Sequence, residues 1–325
     1  MVMPASPRHP QHGRALLMLL WGNLFWGLSF PTIKALMLVH VAVLPGSSSW
    51  FVTVMTVTPR FILAALILLV WQARKLGQTT RGEVRQGIEL GVFATLGTIL
   101  QSDGMQFTSA STSAFLTQLY AVLIPAYVAL RLRRSPGARV WLCGFLVLAG
   151  VAILGRFDWK TLTFGRGEWE TLGCSVFFMG QILCLERREF AANDPIRLTL
   201  VMFVTQAVVF SVLLLLAAPS TTAVWQLASS LPWTGLTLVV TLLCTVAAFL
   251  IMNRWQPKIT ATEAGLMYCF EPIFGSLLAL VLPALYSAWC GISYANETAT
   301  WALLLGGTLI TLANALLQLR PVAKG

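Results

Sequence analysis

Ten apolar stretches of about twenty residues follow one another along the chain, centred near residues 25, 63, 96, 120, 147, 178, 207, 242, 273 and 309. A helix needs roughly 20 apolar residues to cross a bilayer, so a 325-residue chain with ten such runs has almost nothing left for a soluble domain. The charge content agrees: 10% of the residues are charged, where a soluble domain carries about 25%, and the mean hydropathy is +0.77. The expected class is an all-α polytopic membrane protein with ten transmembrane helices. The first run starts near Ala15 and is too long for a signal-peptide core, so it reads as a retained helix.

The net charge of +10 does not describe a nucleic-acid binder, because Lys and Arg are scattered among short connections and form no basic face. They read as topology signals. With the N-terminus inside, 17 of the 22 Lys and Arg fall on the cytoplasmic side, among them Arg74, Lys75, Arg85, Arg131, Arg187, Arg197 and Lys258. Five fall outside: Lys34 and Arg60 at outer helix ends, and Arg156, Lys160 and Arg166 in an outer loop. Both termini are therefore expected in the cytoplasm. Three outer connections read as long or unusual: Val39 to Thr58, Gly155 to Glu170 and Pro283 to Thr300.

Sliding the chain on itself by 150 residues places 100–130 on 250–280. Each stretch runs from an apolar helix through a short polar turn into an apolar helix with an internal proline, Pro125 or Pro272. Five helices per half is an odd number, so the two halves enter the membrane in opposite directions, as two inverted five-helix repeats. The resulting division is a tail over 1–14, a first repeat over 15–156, a second over 157–319 and a C-terminal tail over 320–325.

WGNLFWGLSFPTIKAL in helix one, TSASTSAFLTQLYAVLIPAYVALRLRR in helix four, ITATEAGLMYCFEPIFGSLLAL in helix nine and ETATWALLLGGTLITLANALL in helix ten, taken together, resemble the EamA-type branch of the drug/metabolite transporter superfamily. The resemblance implies ten helices around a central cavity, a bacterial inner membrane and movement of small metabolites, often outward. Helix four ends on Arg133-Arg134 where many members carry a glutamate, and the comparable Glu297 follows a long insertion. Both departures concern the outer mouth.

An ionisable side chain at mid-helix costs about 2.5 to 3.5 kcal/mol on insertion scales, so it should face a partner or a wet cavity. Glu271, near the middle of helix nine and just before Pro272, is the most costly charge in the chain. It suits a counter-ion for a substrate amine or a proton carrier. Lys34, Arg60 and Asp103 read as outer-face residues, able to touch substrate or to lock helices, and Asp103 is a second proton-coupling candidate. Gln118 and Tyr120 in helix four, opposite Tyr268 and Cys269, are expected to line the cavity, though two adjacent-but-one residues cannot share one helical face. Trp26 and Asn23 in helix one add an aromatic and a polar contact. Pro125 and Pro272 are the expected hinges. Gln181, Gln206 and Asn314 read as helix-joining amides.

No zinc-protease, nucleophile-elbow or phosphate-loop motif occurs, and the six cysteines form no metal-ligand spacing. The reading is a secondary transporter, not an enzyme, without metal or cofactor. It exports or exchanges a small metabolite such as an amino acid by alternating access. Its partners are that solute and membrane lipids, not nucleic acid, and a homodimer is compatible. The alternative is a flippase for an anionic lipid intermediate, with Lys34 and Arg60 receiving the headgroup in a lateral groove.

Overall fold

Leucine, valine and alanine dominate segments whose ends carry the capping residues, and these segments fold as helices. The computed structural model describes residues 9–104, 106–107, 113, 116–133, 136–154 and 165–318. Among the described residues the chain is helical, with no strand. The helices are α1 His12–Val43, α2 Ser49–Gln72, α3 Arg81–Gly104, α4 Tyr120–Leu132, α5 Ala138–Leu154, α6 Arg166–Leu185 and α7 Pro195–Ala217. They continue as α8 Thr221–Ala228, α9 Leu231–Val239, α10 Ala248–Trp255, α11 Ala261–Tyr268, α12 Glu271–Ala279, α13 Leu282–Cys290 and α14 Trp301–Gln318. A π-helical stretch, Val240–Ala247, joins α9 to α10.

Local chemistry sets several starts. The Ser48 hydroxyl accepts from the Phe51 N–H at 3.2 Å and opens α2. Asp194 accepts from the N–H groups of Ile196 and Arg197, with Pro195 in the first turn where no donor is needed. Thr260 and Glu263 form a reciprocal capping box at α11. Arg133, in the left-handed region at φ 49°, ends α4.

Among the described residues, four helical stretches are long and apolar enough to cross a bilayer: His12–Val43, Ser49–Gln78, Pro195–Ala217 and Leu231–Lys258. The pair Ala261–Ala279 and Leu282–Cys290, bent by 56°, makes a fifth if it is one span. Helix α1 has 32 residues, so at 1.5 Å per residue it is about 48 Å long, well beyond the ~30 Å hydrocarbon layer.

That length corrects the first expected outer connection. α1 runs to Val43 and α2 starts at Ser49, so the link is 44–48 rather than Val39 to Thr58. The polar and proline residues at the ends of the apolar runs, His40, Thr53, Thr56, Thr58 and Pro59, all continue as helix, with side chains buried in the bundle or bonded back to it. In consequence Lys34 and Arg60 are not at helix ends. Lys34 lies nine residues before Val43, and Arg60 lies eleven residues after Ser49 and twelve before Gln72. The third connection shortens likewise, because α13 occupies Leu282–Cys290. Residues 155–164 of the second lie outside the described residues.

Small residues let the helices close. A Cβ on Gly27 of α1 would stand 2.6 Å from the Phe274 Cβ and 2.8 Å from the Gly275 nitrogen of α12. Gly87 and Gly91 bring α3 against Val201 and Thr205 of α7, and Gly150 of α5 sits 2.8 Å from the Gly306 carbonyl oxygen of α14 by the same measure. Such contacts replace the hydrophobic drive that lipid does not supply.

The end of the bundle where α1 begins is tied by charge. Arg197 grips Glu83 through Nε at 2.9 Å and Nη2 at 2.7 Å, while Glu83 also accepts the Asp194 N–H. Arg187 joins Glu89 and Glu189, and His12 Nε2 meets Glu263 at 3.1 Å. This is called the basic end below, and the opposite one the far end.

Candidate functional site

Halfway along α2, a position where lipid-spanning helices carry no charge without reason, Arg60 points into the bundle and is only 8% exposed. Its Nε donates to the Thr245 hydroxyl at 2.5 Å, and its guanidinium lies 4.9 Å from the Phe61 ring centroid. It meets no carboxylate among the described residues. Thr245 belongs to the π-helical stretch, and its hydroxyl donates to the Val240 carbonyl five residues back at 3.0 Å. The π register thus turns a threonine toward Arg60 from the middle of the α9–α10 span. π-bulges of this kind occur frequently at functional sites.

Glu271 approaches the same level from α11 and α12. The helix breaks at Cys269 and Phe270, Glu271 opens α12, and Pro272 sits in its first turn. A carboxylate there lies at the positive end of a helix dipole. Tyr268, Cys269 and Pro272 are buried, yet Glu271 keeps accessible surface and makes no hydrogen bond or ion pair to any described residue. Its charge reaches Tyr120, Cys174, Cys244 and Cys269, and Cys244 is also within reach of Arg60. Both charges thus act on Cys244, and neither meets an opposite charge among the described residues.

Gln118 and Tyr120 are both buried, at 2% and 4% exposure. The expectation that they could not face one direction assumed a continuous helix. The chain turns at Gln118 and Leu119, and α4 begins only at Tyr120. Gln118 Oε1 lies 3.1 Å from the Cys269 thiol, so the two helix breaks meet side chain to side chain. The breaks also relocate the bends. Pro125 lies within α4, and Pro272 starts a helix two residues beyond the turn, so neither proline is itself the break point.

An aromatic chain runs across the bundle beside these groups. Tyr268 meets Trp26 edge-on at 5.4 Å, Trp26 meets Phe249 at 5.5 Å, Phe249 meets Phe203 at 5.8 Å, and Phe203 meets Phe61 at 6.1 Å. Tyr268 donates to Gln256 at 2.7 Å, and Gln256 to the Ile182 carbonyl at 2.7 Å, toward the basic end. Asn23 is fully buried. Its Nδ2 donates to the Leu19 carbonyl at 2.8 Å and its Oδ1 finds no partner.

Two candidates lie elsewhere. Lys34 is exposed and is not brought to Arg60, so the pair imagined for an anionic headgroup does not form. Asp103 sits at the far end, its carboxylate 1% exposed and 2.5 Å from Arg166 Nη2. His40, expected in an outer loop, is buried within α1 against Phe51 and 3.2 Å from Ser47. Of the amides read as helix glue, Asn314 donates to the Leu266 carbonyl, while neither polar atom of Gln206 has a partner among the described residues.

Sequence reasoning missed Thr245, Arg166 and Glu170. Thr245 carries no signal, since an i−5 register is not written in a run of apolar residues. Arg166 and Glu170 were legible as an i,i+4 pair, which the structure forms at 2.8 Å.

The EamA-like transporter family model matches residues 13–156. An uncharacterized transporter of Archaeoglobus fulgidus is 24% identical over 283 residues, covering 84% of this chain and 77% of the relative. A crystal structure with 15% sequence identity superposes with a TM-score of 0.69 over 94% of this chain and 97% of that one, so the two share a fold.

Proposed function

We propose that this chain, residues 13–156 of which match the EamA-like transporter family model, is a secondary carrier that exports or exchanges a small metabolite by alternating access. The observation that carries this reading is the pair of mid-span charges, Arg60 and Glu271, on different helices and neither meeting an opposite charge among the described residues. A structural ion pair would have closed on itself. Charges left apart serve a solute that brings its own, such as an amino acid with its carboxylate toward Arg60 and its ammonium toward Glu271. Tyr120, Gln118, Tyr268, Trp26 and Asn23 complete the lining in this reading, and Glu271 is also placed to carry a coupling proton.

The architecture we infer is ten spans in two inverted repeats, 15–156 and 157–319, with short tails over 1–14 and 320–325 and the basic end in the cytoplasm. Packing supports it. α6 packs on α3 as α1 packs on the α9–α10 span, and α2 with α7 and α5 with α14 form the pairs that an inverted two-fold relation maps onto themselves. The broken helices meeting at Gln118 and Cys269 are 151 residues apart, close to the shift of 150 that relates the halves. The burial of Arg60, away from exposed Lys34, weighs against the lipid alternative.

Counterflow uptake of a mixed labelled metabolite pool into proteoliposomes tests the proposal. Wild type should accumulate a zwitterionic member of the pool. Glu271→Gln should lose about 10- to 100-fold, the value of a charged hydrogen bond of about 1.5 to 3 kcal/mol. Lys34→Ala should transport as wild type. Absence of uptake for every pool member, or equal uptake by Glu271→Gln, would sink it.

A further inference from the structure

At the far end, two carboxyl groups and one guanidinium share a site that one ionisation state cannot satisfy. Arg166 donates to Asp103 Oδ2 from Nη2 at 2.5 Å and to Glu170 Oε1 from Nε at 2.8 Å. The second oxygen of each carboxyl, Asp103 Oδ1 and Glu170 Oε2, is buried and accepts from no N–H or O–H group of the described residues. Both carboxyls are therefore gathered around the one guanidinium. A carboxylate has only acceptors, so two ionised groups cannot satisfy each other's free oxygens. With both ionised, the described residues of the site would hold two negative charges against the one guanidinium of Arg166. One added proton brings the charge to zero and supplies the missing donor.

We propose that Asp103 and Glu170 bind a single proton between them, clamped by Arg166, and that this proton latches α3 to α6 at the far end of the bundle. On release the proton passes to water and leaves two carboxylates facing each other across one guanidinium, a repulsion relieved when α6 moves off α3. Loss of the latch thus accompanies rising pH. Its macroscopic titration belongs to the pair rather than to either residue.

The surroundings leave this assignment intact. Phe107 lies 4.3 Å and Trp50 5.6 Å from the Arg166 guanidinium, and Gln106 donates to the Thr53 hydroxyl at 2.6 Å, tying the turn after α3 to α2. The charged residue of α2 is Arg60 at mid-span, and that of α7 is Arg197 at the basic end. On α6 itself, Glu168 Oε2 accepts the Gly165 N–H at 2.9 Å. Gly104 adds closeness rather than charge, since a Cβ there would stand 2.9 Å from the Thr171 hydroxyl.

The place of the latch in a transport cycle rests on the transporter reading, whereas proton binding does not. Infrared pH-difference spectra of the purified full chain, in a Glu271→Gln background, should contain a protonated-carboxyl band that disappears as pH rises. Glu170→Gln and, independently, Asp103→Asn should each remove it, and Glu170→Gln in an otherwise wild-type chain should flatten the pH dependence of counterflow. A band left unchanged by both substitutions overturns the shared proton. Counterflow whose pH profile survives Glu170→Gln overturns the latch. A band that behaves as expected in a chain with no counterflow counts against the transporter reading and leaves the proton site standing.

Discussion

Among the described residues, the carboxylates Glu83, Glu89, Asp103 and Glu170 at the ends of this bundle are held by arginines, whereas Arg60 and Glu271 in its middle meet no opposite charge. At the basic end Glu83 is held by Arg197 and two backbone N–H groups, and Glu89 by two arginines. At the far end Asp103 and Glu170 share Arg166. Between them Arg60 rests on a threonine hydroxyl and a phenyl ring, and Glu271 makes no polar contact to a described residue. Since desolvation is greatest at mid-bilayer, a protein built only for stability would pair its charges there first. The inversion teaches that the end pairs hold helices together, while the middle is kept available.

Substitutions should separate these roles. Arg60→Ala is expected to have the largest effect on counterflow, a loss of about 10- to 100-fold. Unfolding in detergent should change by less than about 1 kcal/mol, because the substitution orphans no buried carboxylate. An equal loss of stability and transport would break the comparison. Glu83→Ala should do the reverse. It leaves the Arg197 guanidinium and the Asp194 N–H unmatched and should destabilise by about 3 kcal/mol, and the double variant Glu83→Leu/Arg197→Met should recover most of that in the same unfolding measurement.

Packing without charge comes next. Gly27→Ala forces α1 away from the α12 backbone and should cost about 1 to 3 kcal/mol, whereas Gly13→Ala, with open space around it, should be neutral by thermal melting. Arg85→Ala should be the mildest. That side chain is 60% exposed although it bridges Glu89 and Glu189, and exposed pairs are worth about 0 to 1 kcal/mol. A larger shift in its melting curve would mean that the basic-end network acts as a unit.

Helix content was readable from the apolar runs. The extents were not. The 44–48 link, Leu-Pro-Gly-Ser-Ser, lay inside the expected connection, but nothing along the chain marked how far the flanking helices run, and Arg60 was assigned to the far end although it lies at mid-span. Glu271 was legible as a candidate because its cost depends on depth along one helix. Thr245 was not, because a π register follows from how α9 and α10 pack. Gln118 and Tyr120 are both buried, and the turn that separates them from one continuous helix was not legible, since it meets the other broken helix at Cys269.

By itself the sequence determined that the chain is helical and belongs in a membrane, because hydrophobic length and backbone hydrogen-bond satisfaction are local quantities summed along a run. It also determined the resemblance to EamA-type transporters. Tertiary structure alone decided which groups far apart in the chain meet. Asp103 and Arg166 are 63 residues apart and Arg60 and Thr245 are 185 apart, and a pairing through space falls off over a few ångströms that no pattern along the chain records.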